Sequence, residues 1–442
     1  MRAKLVPPKS SPPAINPVLG WVVFVIGAVF YSYEFLLRIM PSVMTTDLMQ
    51  AHHVTTAGLG YLISIYYVVY TAMQLPVGLL IDTYGPRRLL LMASAVCAIG
   101  SFFFASTNSL FLAGLGRFLI GLGSAFGFVG VLRLASLWLP INRFALATGL
   151  ITTLGMIGGV LGDVGLNHLV IRSGWHNAVV FSAWIGIALM LPLYFIPEGS
   201  VTSFKQSQRS LQWAQLWQQT LLILRMPVIW LNALAGSLLY IPLSVFGELW
   251  GVSYLQNAQQ LNPVDAALAI SWLMWGWAVG APLVGWLADK TGSRYRVVLT
   301  CSALSFVFIL YVLHTQFHGN TSLFAAMFLL GLLCSGQILM MVIARDHCPP
   351  TLLATGMATT NMIIMGGSIL FQPLIGILMR THSAALIADK TSTSVSSAYT
   401  HAMYIVPAAI LAGMIVLVLQ RFLEQRTLSY DKNASNNPLE SE

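Results

Sequence analysis

The sequence predicts an all-α integral membrane protein with twelve transmembrane helices in two pseudo-symmetric six-helix bundles. Three observations carry this: the 442 residues are 57% hydrophobic and 8% charged, apolar stretches of about 20 residues recur along the whole chain, and the chain repeats itself at a fixed offset. Such a composition calls for lipid as solvent and lies far from that of a soluble domain.

The spacing of polar and Pro/Gly breaks predicts spans at 18–44, 56–82, 87–106, 109–138, 143–170, 175–196, 227–256, 264–289, 295–315, 321–345, 352–380 and 400–421. They divide the chain into an N-terminal tail (1–17), a first bundle (18–196), a linker (197–226), a second bundle (227–421) and a C-terminal tail (422–442). The N-terminal tail is Pro-rich and polar, and no small-residue cleavage site follows the first apolar run, so it reads as a tail and not as a signal peptide. In the linker, Trp213, Leu216, Trp217, Leu221 and Leu224 form a stripe at helical spacing, expected to lie on the membrane surface or, failing that, to bind a partner. The four cysteines are far apart without metal-ligand spacing and read as packing residues.

Orientation follows from the basic residues. With the N-terminus inside, sixteen Lys and Arg fall on the cytoplasmic side, and the outer side holds Arg172, Arg380 and Lys390. That bias predicts both termini in the cytoplasm and a multi-pass protein of the inner membrane. It also accounts for the net charge of +8 without nucleic acid.

The repeat consists of two matches at one offset. Gly78, Asp82, Gly85 and Arg87 in GLLIDTYGPRR recur as Gly285, Asp289, Gly292 and Arg294 in GWLADKTGSR, 207 positions later. The run ATGLITT from Ala147 returns as ATGMATT from Ala354 at that same offset. Repeats on one membrane side imply parallel halves related by an axis along the membrane normal.

These loops resemble the duplicated G-x-L-x-D-R-x-G-R-R loop of the major facilitator superfamily, and Gly116 to Gly123 (GRFLIGLG) resembles its fourth-helix Arg/Gly motif. The resemblance covers about residues 17–425. It implies alternating access between the bundles, with helices one, four, seven and ten lining the cavity. The loop residues Gly78, Asp82, Gly85, Arg87, Arg88, Gly285, Asp289, Gly292 and Arg294 are the expected gating set. The first copy departs from the pattern at Thr83, where the family has Arg; the second has Lys290.

Charge inside the membrane is the most informative feature. Glu34 and Arg38 lie in the first span, Arg117 and Arg133 in the fourth, Asp163 in the fifth and Glu248 in the seventh. Each costs about 2.5–3.5 kcal/mol at a helix centre, so each should face a partner or a wet cavity. Glu34 and Arg38 stand one turn apart, as a brace or as part of a site. Arg133 can reach the interface or face inward. Arg117 and Asp163 lie at similar depth on consecutive spans, and a shared polar network is expected. The substrate-binding candidates are Arg117, Arg38, Tyr31, Tyr240, Gln337 and Asn361, with Tyr66 and Tyr70 as further walls; the proton-coupling candidates are Glu34, Asp163 and Glu248.

No GxxxxGK[ST] loop, HExxH motif or ring of charges is present, which disfavours nucleotide-driven pumps, enzymes and channels. A secondary active transporter remains, without cofactor or metal, working as a monomer in the lipid bilayer on a small-molecule substrate with protons as coupling ion. Proton-coupled uptake of a carboxylate-bearing solute such as an amino acid, peptide or organic acid is favoured. Proton-coupled efflux of a drug or metabolite is the alternative. Drug exporters of the resembled family carry spaced glycines and a Gly-Pro pair in helix five; here Gly149, Gly158 and Gly162 keep the spacing, but Asp163 replaces the proline.

Overall fold

The computed structural model describes residues 17–106, 109–140, 143–197, 213–317, 319–348, 353–385 and 392–436. The N-terminal tail to residue 16, the linker at 198–212 and Lys390 lie outside them.

Among the described residues, eleven helices are long and apolar enough to cross a membrane. One of them, Gly149–Tyr194, is far longer than a bilayer needs at 1.5 Å per residue. It is broken at Gly174, whose φ of 81° and ψ of 161° no helix accommodates. That break separates the fifth span from the sixth, so the described residues hold twelve spans.

The duplicated loops owe their shape to glycine. Gly85 (φ 85°) ends the second helix, Thr56–Tyr84, and Gly292 (φ 61°) ends the eighth, Pro263–Thr291. Any other residue would be strained at these angles. The following spans, Pro86–Ala105 and Arg294–His314, then start afresh. At the opposite ends, Thr55 caps the second helix through the Gly58 N–H, and Asn262 caps the eighth through the Asp265 N–H at 2.8 Å.

The four spans expected to line the cavity all have an interrupted α-helical ladder, and so does the fifth. The first, starting as Pro17–Ile39, passes through a 3-10 turn at Met40–Met44 before Thr45–Ala51. The fourth breaks between Leu110–Ser124 and Gly127–Trp138, and the tenth has a 3-10 turn at Ser335–Ile338. The seventh contains a π segment at Pro242–Trp250, and the fifth a π turn at Leu161–Gly165. Spans three, six, nine and twelve instead expose large apolar side chains such as Phe103, Trp184, Val307 and Ile415 to lipid.

The halves meet chiefly where the second span crosses the eleventh, Leu353–Ala385, and where the fifth crosses the eighth. On the face opposite the termini this seam is tight. Thr56 Oγ1 donates to the Gly376 carbonyl at 2.8 Å, Asn167 Nδ2 to the Pro263 carbonyl at 2.9 Å, and the Thr45 and Ser253 hydroxyls are 2.6 Å apart. Towards the termini it loosens, and Gly78, Gly149 and Gly285 have open space where side chains would stand.

One boundary differs from expectation. The last span continues as one helix, Ile405–Asn436, through most of the expected tail. Its extension is held because Glu424 Oε1 accepts from the Tyr295 hydroxyl at 2.7 Å and from Gln420 at 2.8 Å. The linker helix, Trp213–Leu224, turns Thr220 and Ile223 towards the protein and leaves Trp217 and Leu221 exposed; the Trp213 and Leu216 side chains lie outside the described residues.

Candidate functional site

Among the described residues, five carboxylate or guanidinium side chains are buried: Glu34, Arg38, Arg117, Asp163 and Glu248. Three of them meet between the bundles. Arg38 Nη2 donates to Glu34 Oε1 at 2.5 Å, its Nε to the Tyr66 hydroxyl at 3.1 Å, and its Nη1 lies 4.0 Å from Glu248 Oε1. Tyr66 in turn donates to Glu34 at 2.5 Å. Glu248 accepts from Tyr240 at 2.9 Å on its own helix and from Tyr67 of the second span. One guanidinium is therefore shared by two carboxylates from opposite halves, inside a cage of tyrosine hydroxyls.

The local structure explains the convergence. Glu34 and Arg38 are one helical turn apart, so they pair on one face. Tyr66, Tyr67 and Tyr70 fall within five residues, which puts Tyr66 and Tyr70 on the face turned to Arg38 and lets Tyr67 reach across. The π segment around Glu248 turns an acid inward that a regular helix would place elsewhere. The Phe35 and Tyr70 rings cover the guanidinium at 4.4 and 4.9 Å, strengthening its electrostatics by excluding water.

Arg117 and Asp163 do not share a network. Arg117 donates to the Leu37 carbonyl at 3.1 Å and lies over the Tyr66 ring at 4.9 Å, with Nε and Nη2 unpartnered. Asp163 accepts from Ser42 at 2.9 Å, and its second oxygen is unpartnered. The two helices carry the residues at similar depth but turn them to different neighbours, which depth alone does not reveal. Arg38, and not Arg117, is the arginine that faces carboxylates.

The remaining candidates are spread out. Tyr31 packs on Phe35 and Phe128 beside the cluster. Gln337 donates to the Gly236 carbonyl within the second bundle, away from the cluster. Asn361 bonds Gln74 at 3.0 Å across the seam of spans two and eleven. Arg133, half-buried in the fourth span, also stands outside the cluster. Among the loop residues, Arg87 holds the Tyr194 carbonyl at 2.6 Å and Arg294 pairs with Asp346. Arg88 and Asp289 are exposed, and the Asp82 side chain lies outside the described residues. Tyr67 and Ser42 were not anticipated. The Tyr-Tyr-x-x-Tyr run was a usable signal for the first; nothing in the sequence marks the second.

The interrupted helices, packed as two bundles around a buried ion cluster, make this a polytopic membrane protein. The model of the Major Facilitator Superfamily matches residues 19–372 and 252–437, and the chain belongs to that family. Among curated relatives, the probable sulfoacetate transporter SauU of Cupriavidus necator is 22% identical over 60% of this chain and 64% of its own length. The probable galactarate/D-glucarate transporter GudP of Bacillus subtilis is 26% identical over 42% of this chain and 41% of its own. The chain thus spans less than two thirds of these relatives. A bacterial homologue of the lysosomal transporter Spinster shares the fold, with TM-score 0.72, 15% identity and coverage of 96% and 99% of the two chains. The nucleoside transporter NupG does likewise, with TM-score 0.69, 15% identity and coverage of 90% and 99%.

Proposed function

We propose that the protein is a proton-coupled symporter that takes up a small organic anion, a carboxylate or sulfonate, by alternating access. The observation that carries this reading is Arg38 held between Glu34 and Glu248 from opposite bundles. An anionic head group entering the cluster competes for Arg38, whose planar fork suits it. It would leave three negative groups around one cation, so a displaced carboxylate takes up a proton. Anion and proton then travel together. The names of the relatives, sulfoacetate and galactarate or glucarate transporters, agree with a small anionic solute.

With the basic face of the chain in the cytoplasm, the tight seam is the periplasmic one. Counterflow of labelled sulfoacetate, galactarate and amino acids in proteoliposomes tests the substrate, and an imposed pH gradient tests coupling. Accumulation of an anion that rises when the outside is acidified is the expected result; pH-indifferent exchange of a neutral or cationic solute would overturn the reading.

The loop acids belong to the other state. Asp289 is exposed here and makes no hydrogen bond or ion pair among the described residues, so it stabilises the form in which the termini-side ends are closed. Asp289→Asn, and Asp82→Asn at the matching junction, are expected to raise the inward-facing population. Cysteine accessibility from each side reads it, and unchanged labelling in both variants would remove the loops from gating.

A further inference from the structure

We propose that Asp163 is a proton lock on the periplasmic seam: the seam closes only when this carboxyl carries a proton, and that proton is not the one transported. The proposal rests on the symport reading above, which sets the direction, and gives a third buried acid a separate duty.

Position comes first. Asp163 is 0% exposed and stands on the π turn of the fifth span. Gly159, one turn nearer the termini, lies against Ile39 of the first span and Met274 of the eighth. Asn167, one turn farther out, donates to the Pro263 carbonyl of the eighth at 2.9 Å. Asp163 sits between these contacts, so closing the fifth span on the eighth strips it of water.

Its bonding comes second. Ser42 donates to Oδ1 at 2.9 Å and Oδ2 has no partner. A buried carboxylate anion requires a cation or several donors; one hydroxyl suits the neutral acid. The ionisable groups on the elements around it are Glu34 and Arg38 on the first span, Asp265, Asp289 and Lys290 on the eighth, His168 and Arg172 on its own helix, and Glu248 on the seventh. Of these, Glu248 acts on it, and as a like charge. Arg38 is already engaged by Glu34 and Glu248.

The functional consequence differs from that of a carrier. Asp163 is sealed from both sides while the seam is closed, so its proton has no exit to the cytoplasm and returns outward when the seam reopens. It sets the pH dependence of closing, whereas coupling stays with Glu34 and Glu248.

The test uses spin labels on Asn177→Cys and Thr321→Cys, both exposed on the periplasmic face of opposite bundles; the four native cysteines are buried. The distance between labels is followed across pH without substrate. The closed form holds one proton more than the open form, so the closed-to-open ratio is expected to fall about tenfold per pH unit once open-state Asp163 ionises. Asp163→Asn, and Asp163→Ser as a second variant without the acid, should show a label distance that no longer changes with pH, with pH-driven accumulation of the anion retained because substrate still opens the seam and Glu34 and Glu248 still carry the proton. A pH-dependent distance unchanged in both variants overturns the lock. Loss of accumulation with exchange retained makes Asp163 a carrier and equally overturns it. Failure of the symport reading shows separately, as absence of anion accumulation in the unmodified protein.

Discussion

Replacing Arg38 with alanine is expected to abolish transport and to lower stability by about 3–5 kcal/mol, the usual cost of removing one member of a buried ion pair. Arg38 is the cation shared by Glu34 and Glu248, and all three are almost wholly buried. Without it, two carboxylates repel each other across the bundle interface in a medium that screens poorly. Adding Glu34→Gln to Arg38→Ala should recover part of the stability, because one orphan charge is gone, but none of the transport. Arg38→Lys should fold, since the charge stays, yet bind its anion more weakly because the bidentate edge is lost. Thermal unfolding and counterflow on the three variants decide it. Normal substrate affinity in Arg38→Lys would remove Arg38 from recognition and leave it as a brace between the halves.

Gly60→Val is expected to hold the protein open on the periplasmic side. A Cβ at Gly60 would stand 2.7 Å from the Pro373 Cα and 2.8 Å from the Gln372 carbonyl oxygen, both backbone atoms of the eleventh span. Neither can move aside as a side chain could. Overpacking of this kind costs about 1–3 kcal/mol, and here the cost falls on the closed form alone, so the closed-to-open ratio should drop roughly 5- to 150-fold. A membrane-impermeant maleimide reacting with Thr56→Cys from outside measures the shift. If labelling is no faster than with Gly60 intact, the crossing of spans two and eleven is not the gate.

Much of the architecture was legible because a bilayer imposes length and composition on every spanning helix. The glycines at 85 and 292 were legible too, because a positive φ at a helix end tolerates little else, and both loops show it. Glu34 and Arg38 could be paired from spacing alone, since helical geometry decides what stands one turn away. Glu248 was visible as a charge in an apolar run, without a partner to name. The expected Arg117–Asp163 pair failed because depth along two helices says nothing about rotation around them, and the π turn at Leu161–Gly165 rotates Asp163 towards Ser42. Likewise, spacing along the chain does not reveal that the Gln337 amide donates to the Gly236 carbonyl inside one bundle.

From its sequence alone, then, the protein is determined as twelve apolar helices in two repeated halves, with a few charges that hydrocarbon does not tolerate unpaired. Those are local properties, fixed by hydropathy, helical spacing and backbone angles. Which charges meet was decided only by tertiary structure: Arg38 lies between acids 214 positions apart in sequence, Glu34 and Glu248. The physical reason is that helix rotation, mid-membrane kinks and the docking of one bundle on the other depend on packing summed over the whole interface, and no local segment of the chain encodes that sum.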